Sequence, residues 1–218
     1  MMTVRKPARP VRAAAALVAL LALTGCAALS SLNTASLALP TYELRPASFA
    51  STPAAPSSRT ILLAPPSANA ALTTDRVMIR PSELLVEYLP DARWADAAPA
   101  HVQQLLSRSI SNTGAVAHVG IDPAGPLPDF VVLTDLQAFQ VETTGPGLSP
   151  PARVRVRLRL TIVRDVDRRM SGSRVFERVV DAPDLGTPTL MRAFDAAMNP
   201  LLQDAAVWVV TSTGGRGV

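Results

Sequence analysis

The chain has 218 residues, of which 48% are hydrophobic and only 4% aromatic, with a single cysteine and a single lysine. Four of its 21 basic residues lie before Cys26 and all 17 acids lie after it, so the part beyond the cysteine carries 17 arginines against 17 acids and no net charge. That balance excludes a nucleic-acid binder, which needs a cationic excess to displace phosphate counterions, and one cysteine excludes an intrachain disulfide.

The amino end "MMTVRKPARPVR" holds Arg5, Lys6, Arg9 and Arg12 with no acid, and Ala13 to Leu23 follow as an unbroken apolar run. A basic start, a short apolar core and small residues behind it form the layout of an export signal. Eleven helical residues rise only ~16 Å, too little to cross a bilayer. The run ends Leu23-Thr24-Gly25-Cys26, which resembles the lipobox of bacterial lipoproteins. That resemblance implies cleavage before Cys26 and acylation of its sulfur and new amino group. Each buried methylene contributes ~0.8 kcal/mol, so two or more chains give a stable membrane anchor. Ala27 and Ala28 follow in place of the aspartate that retains such proteins at the inner membrane. In a host with two membranes, this predicts an outer-membrane protein facing the periplasm.

Residues 1–25 are thus expected as signal, 26–58 as a lipidated cysteine and flexible tether, and 59–218 as a single domain. The tether assignment rests on Ala, Ser, Thr and Pro content, interrupted by "TYELRP" (41–46), a short potential strand. Beyond it, "RTILLAP" (59–65) reads as a strand. "RVMIR" (76–80) alternates, "PSE" turns the chain and "LLVEY" (84–88) runs back, predicting a hairpin. Ala98, Val102, Leu105, Leu106, Ser109 and Ile110 recur at helical spacing, and Gly114 suits the position after the helix end. Strands are expected over 115–119, 129–142, 152–165 and 173–183, the last two antiparallel. A closing helix begins near Thr187, expected as its cap with Pro188 in the first turn, and Pro200 is placed to kink it. Leu190, Phe194, Met198, Leu201, Ala205 and Trp208 form its apolar face. The order predicts an α/β (α+β) layered sandwich, a mostly antiparallel sheet with two amphipathic helices.

Catalytic signatures are lacking in the sequence. His101 falls on the first helix and His118 in a strand, where structural roles suit both, and no HExxH, paired CxxC, GxSxG or phosphate loop occurs. The chain is read as a non-enzyme, with no catalytic residue, no metal site and no cofactor besides the lipid on Cys26. The unusual feature is a ladder, Arg153, Arg155, Arg157 and Arg159, interleaved with Val154, Val156, Leu158 and Leu160. Period two sends the four guanidinium groups to one face, ~7 Å apart and within one Debye length. Acids on neighbouring strands (Asp135, Glu142, Glu177) would compensate them. The other reading is a docking face for an acidic partner or phospholipid headgroups.

A further resemblance lies in "YELRP", "ILLAPP" and "DRVMIRPSELLVEYLPDARWADAAPAHVQQLLSRSI". Asp75, Arg76, Arg80, Tyr88, Arg93, Trp94 and Ala95 there resemble the pattern of the ABC-type transport auxiliary lipoprotein family. The resemblance covers roughly Thr41 to Ile110. It implies a fold similar to the amino-terminal domain of TolB and a periplasmic partner of an MCE-type ABC system. Such systems move lipids or other hydrophobic molecules between the two membranes. It carries no substrate-site residues, and self-association and phospholipid contact are compatible with it. A lipoprotein that activates or scaffolds an envelope enzyme, such as a peptidoglycan synthase, stays open as the alternative.

Overall fold

The computed structural model describes residues 39–50, 57–143 and 152–214. The expectations for the signal, for Cys26 and for residues 27–38 lie outside the described residues.

The elements in chain order are β1 (Thr41–Tyr42), β2 (Ser57–Leu63), β3 (Ser67–Ala68), a 3₁₀ turn (Ala70–Leu72), β4 (Arg76–Arg80), β5 (Glu87–Trp94), α1 (Ala98–Asn112), β6 (Val116–Gly120), β7 (Phe130–Thr143), β8 (Ala152–Arg164), β9 (Met170–Ala182) and α2 (Thr187–Ser212). β7, 14 residues long, is the spine. One of its edges pairs antiparallel with β8 from Phe130–Arg164 to Thr143–Ala152, and β8 pairs antiparallel with β9. Its other edge takes β2, β3 and β4 in succession, all parallel to it. β6 extends the sheet beyond β2, and β5 and then β1 extend it beyond β4.

The fold is α+β, but the sheet is mixed rather than mostly antiparallel. Five of the eight strand pairings among the described residues are parallel. Alternation fixes which side chains share a face; it says nothing about the direction of a partner that arrives after a long connection. The predicted hairpin of β4 and β5 is present. Its return strand starts at Glu87, so Leu84, Leu85 and Val86 belong to the turn.

Both helices cover one face of the sheet. Val154, Val156, Leu158, Leu160 and Ile162 of β8 are fully buried beneath them, together with Leu136, Phe139 and Val141 of β7. The ladder of β7 slips between Leu136 and Ala138. This bulge resets the alternation, so Leu136 and Phe139, three apart, share the helix-covered face. Trp94 sits where β5, β7 and both helices meet. Its ring lies 5.0 Å from Phe139 and 5.0 Å from Phe194, edge-on to the latter, and 5.8 Å from the stacked His101 ring. α2 runs through Pro200 without ending there, and Gly114 takes the left-handed conformation (φ 63°) just past α1. The cap of α2 is Gly186 rather than Thr187. The Thr187 hydroxyl instead donates to Asp91 Oδ2 at 2.9 Å, joining the helix start to β5.

The compact unit begins at Pro40, not Arg59. Residues 40–50, assigned to the tether on composition, are packed: Leu44 and Ala47 are buried. One stripe of α1 holds their backbone. His101 Nε2 accepts from the Leu44 N–H (3.2 Å), Ser109 Oγ accepts from the Ala47 N–H (2.9 Å), and Asn112 Nδ2 donates to the Ala47 carbonyl (2.8 Å). Positions 101, 105, 109 and 112 follow one face of a helix, so helix side chains satisfy polar groups that a neighbouring strand would otherwise take.

This stripe has a pH consequence. Burial is the main cause that lowers the His101 pKa below its ordinary value; Arg108 lowers it too, while Glu43 and Asp96 oppose. The folded chain therefore binds fewer protons than the unfolded one below about pH 6.5. His101 thus contributes its full stability above that pH and loses it as pH falls toward the lowered folded value. The melting temperature should drop between pH 7.5 and 5.5, and a His101→Phe variant, followed by circular dichroism, should give a flatter profile over the same interval.

Candidate functional site

The sheet face away from the helices carries the arginine ladder. Arg153, Arg155 and Arg157 are half-buried and Arg159 is exposed. The register sets each beside a defined neighbour. Arg153 lies between Glu142 of β7 and Asp181 of β9, Arg155 between Gln140 and Val179, and Arg157 between Ala138 and Glu177. Arg159 lies between Asp135 and Val175.

Two carboxylates knit three of these cations together. Glu142 Oε2 accepts from Arg153 Nε at 3.1 Å, and Glu142 Oε1 lies 3.0 Å from Arg155 Nε as an ion pair off the hydrogen-bonding line. Glu177 is forked between neighbours, Oε1 on Arg155 Nη1 (2.8 Å) and Oε2 on Arg157 Nη1 (2.6 Å). Gln137 Oε1 accepts from Arg157 Nε (2.8 Å), while Gln137 Nε2 donates to Asp135 (2.8 Å). Asp135 is thus held by Gln137 and faces Arg159 only through the register. The chain Arg153–Glu142–Arg155–Glu177–Arg157 alternates in charge, which offsets the repulsion among these three arginines.

At one end of this face the sheet opens into a cleft of about 550 Å³ lined by Arg80, Pro81, Ser82, Glu83, Glu142, Thr143, Arg153 and Arg155. Arg80 pairs in register with Glu142, on the edge of β7 opposite Arg153. Arg80 Nη2 donates to the Glu83 carbonyl, and Arg80 Nε is buried with no partner among the described residues. Sequence reasoning did not bring Arg80 to the ladder, because 73 residues separate it from Arg153. The available signal was its alternation with the buried Val77 and Ile79, which sends Arg80 to the other face.

The other motif residues do structural work. Arg76 covers the Tyr88 ring (4.7 Å), and the Tyr88 hydroxyl donates to the Ala71 carbonyl (3.0 Å). Arg93 Nε donates to Thr41 Oγ1 (3.2 Å), its guanidinium lies 3.9 Å from Asp75, and the Ala95 N–H donates to the Tyr42 carbonyl (2.8 Å). Trp94 is in the core. Among the described residues no group of three or more His, Cys, Asp or Glu is placed to hold a metal ion, and no helix is long and apolar enough to cross a membrane.

The family profile described as "ABC-type transport auxiliary lipoprotein component" matches residues 42–206. No curated protein matches the chain. Protein XCC0632 from Xanthomonas campestris (family DUF330) shares 20% identity over 81% of this chain and 97% of its own, with a TM-score of 0.70. A crystal structure of an uncharacterised protein shares 13% identity over 78% of this chain and 95% of its own, with a TM-score of 0.55. At these identities the two structures establish a shared fold.

The charge network makes a prediction. Glu177→Gln weakens two charge-assisted contacts on a partly solvated face and should cost about 1–2 kcal/mol of unfolding free energy. Arg159→Gln, at an exposed position outside the Glu142–Glu177 network, should stay within about 0.5 kcal/mol of the parent. Urea titration checks both.

Proposed function

We infer the function from the premise that this chain belongs to the ABC-type transport auxiliary lipoprotein family, whose profile takes in α1, most of α2 and the body of the sheet. It is a non-enzymatic accessory of an ABC-type transport system, anchored through lipid on Cys26 at the outer membrane and facing the periplasm. Its partner in this reading is an MCE-type protein of a system that moves hydrophobic molecules between membranes. The extent of the family match carries the proposal. The residue patterns "LTGC" and "DRVMIR…YLPDARWA" support the anchor and the partner class.

The open sheet face suits the docking part of that role. Its arginines are already held by Glu142, Glu177 and Gln137, so little side-chain freedom is lost when a partner arrives. Arg153 shares one carboxylate and Arg159 is exposed, which leaves guanidinium donors for acidic groups of the partner.

Three outcomes test the reading. Cys26→Ser should leave unacylated precursor that carbonate washing removes from membranes; normal maturation and retention would overturn the anchor. A mild-detergent capture of the full-length, carboxy-tagged protein should enrich an MCE-type protein over a control carrying only the lipobox segment. Arg153→Glu with Arg159→Glu should reduce that capture at least tenfold while the far-ultraviolet spectrum is preserved. Enrichment of a peptidoglycan synthase instead would replace transport with enzyme activation.

A further inference from the structure

The turn between β4 and β5 presents three consecutive apolar side chains to solvent. Leu84 is 97% exposed, Leu85 46% and Val86 40%. Burying one such side chain fully contributes about 1.5–3 kcal/mol. Scattered surface leucines are ordinary, but a contiguous exposed set marks a contact. The same turn contributes Pro81, Ser82 and Glu83 to the wall of the cleft that holds Arg80, Arg153 and Arg155. The apolar tip and one wall of the guanidinium-lined cleft are therefore parts of the same six-residue turn, 81–86.

The donors and acceptors of that cleft are unevenly used. Both oxygens of Glu142 are engaged: Oε2 accepts from Arg153 Nε and Oε1 from Gln140 Nε2 (2.9 Å), and Oε1 also lies against Arg155. Each guanidinium has five N–H groups. Arg80 spends Nη2 on the Glu83 carbonyl and keeps Nε unpartnered among the described residues. Arg153 pairs with Glu142 through Nε, and its side chain is 41% exposed. The cleft thus offers hydrogen-bond donors and positive charge, opposed by the Glu83 carboxylate at its wall, and it lies beside side chains that gain by leaving water.

We propose that the 81–86 turn and the Arg80–Arg153 cleft form one insertion point for an anionic phospholipid surface, Leu84, Leu85 and Val86 entering the acyl boundary while the two arginines take a lipid phosphate. The planar forks of arginine match phosphate oxygens. In a bilayer the headgroup phosphates lie directly outside the apolar boundary that an amphipathic segment enters by ~5–10 Å. The contact orients the folded part by a second point besides any amino-terminal anchor, and it does not depend on which transporter is the partner.

Hydrogen–deuterium exchange with millisecond labelling on the full-length protein tests it. The protein is compared in vesicles of phosphatidylcholine alone, in vesicles with one-third phosphatidylglycerol, and without vesicles in inorganic phosphate. The expected result is at least fivefold slower exchange of the Ser82–Val86 amides with the anionic vesicles only, with residues 165–169 at the opposite end of the sheet unchanged. Leu84→Asp and, separately, Arg80→Gln with Arg153→Gln should each abolish the slowing. Unchanged protection of β7 and β8 in the same data verifies folding, and Leu84→Asp alters a side chain with almost no packing to lose. Equal slowing in phosphatidylcholine, slowing that survives the arginine changes, equal slowing at 165–169, or no slowing would each overturn the proposal. Full slowing in phosphate alone would make the cleft a soluble-anion site, and slowing that rises with protein concentration without vesicles would make the turn a self-contact; both also overturn it. A failed transporter capture leaves this readout intact.

Discussion

The structure depends on the backbone of β7 being hydrogen-bonded along both edges. A buried strand must place every N–H and carbonyl, and β7 does so with one long partner on one side and three short ones on the other. The long antiparallel meander through β8 and β9 gives a continuous floor for the helices. The successive short parallel strands let the chain leave the sheet, build α1 and return without breaking that floor. With both helices committed to one face, the other is left to water, and its alternating positions carry arginine and glutamate.

The amino-terminal segment shows the same accounting by other means. Residues 44–47 lie along α1, and His101, Ser109 and Asn112 supply the acceptors and the donor that their backbone needs. Around them Arg93 and Trp94 tie β1, β5 and both helices into one cluster. Most of the pattern that identifies the family is therefore scaffold. Arg80 is the exception, because its strand ends where the outer face begins.

Legibility in the sequence followed the range of the interactions. β8 was readable because a period of two over 13 residues needs no partner to be seen, and the stripe of α1 was readable from the spacing of Val102, Leu105 and Ile110. The direction of β2, β3 and β4 beside β7 was not, since parallel pairing is decided by distant connections. Residues 40–50 resembled tether because their composition is that of a linker; what binds them is polar side chains about 60 residues away. Leu84 to Val86 read as strand by hydrophobicity, although Pro81 and Ser82 bend the chain for longer than three residues. The ladder was visible, but Glu142 as the shared partner of Arg153 and Arg155 was visible only as one of three candidate acids.

Its position depends on the slip between Leu136 and Ala138. Counted in strict alternation from Leu136, Gln140 and Glu142 would fall under the helices and Phe139 and Val141 in water. The extra residue works as a half-period phase shift: the strand before it and the strand after it are two waves of opposite parity joined in one backbone. A single-residue deletion there would leave a regular ladder with every side chain on its present face, whereas removing two would invert every side chain on one flank. The core and the charge network of this sheet therefore stand or fall together, coupled through a counting rule rather than through any contact between them.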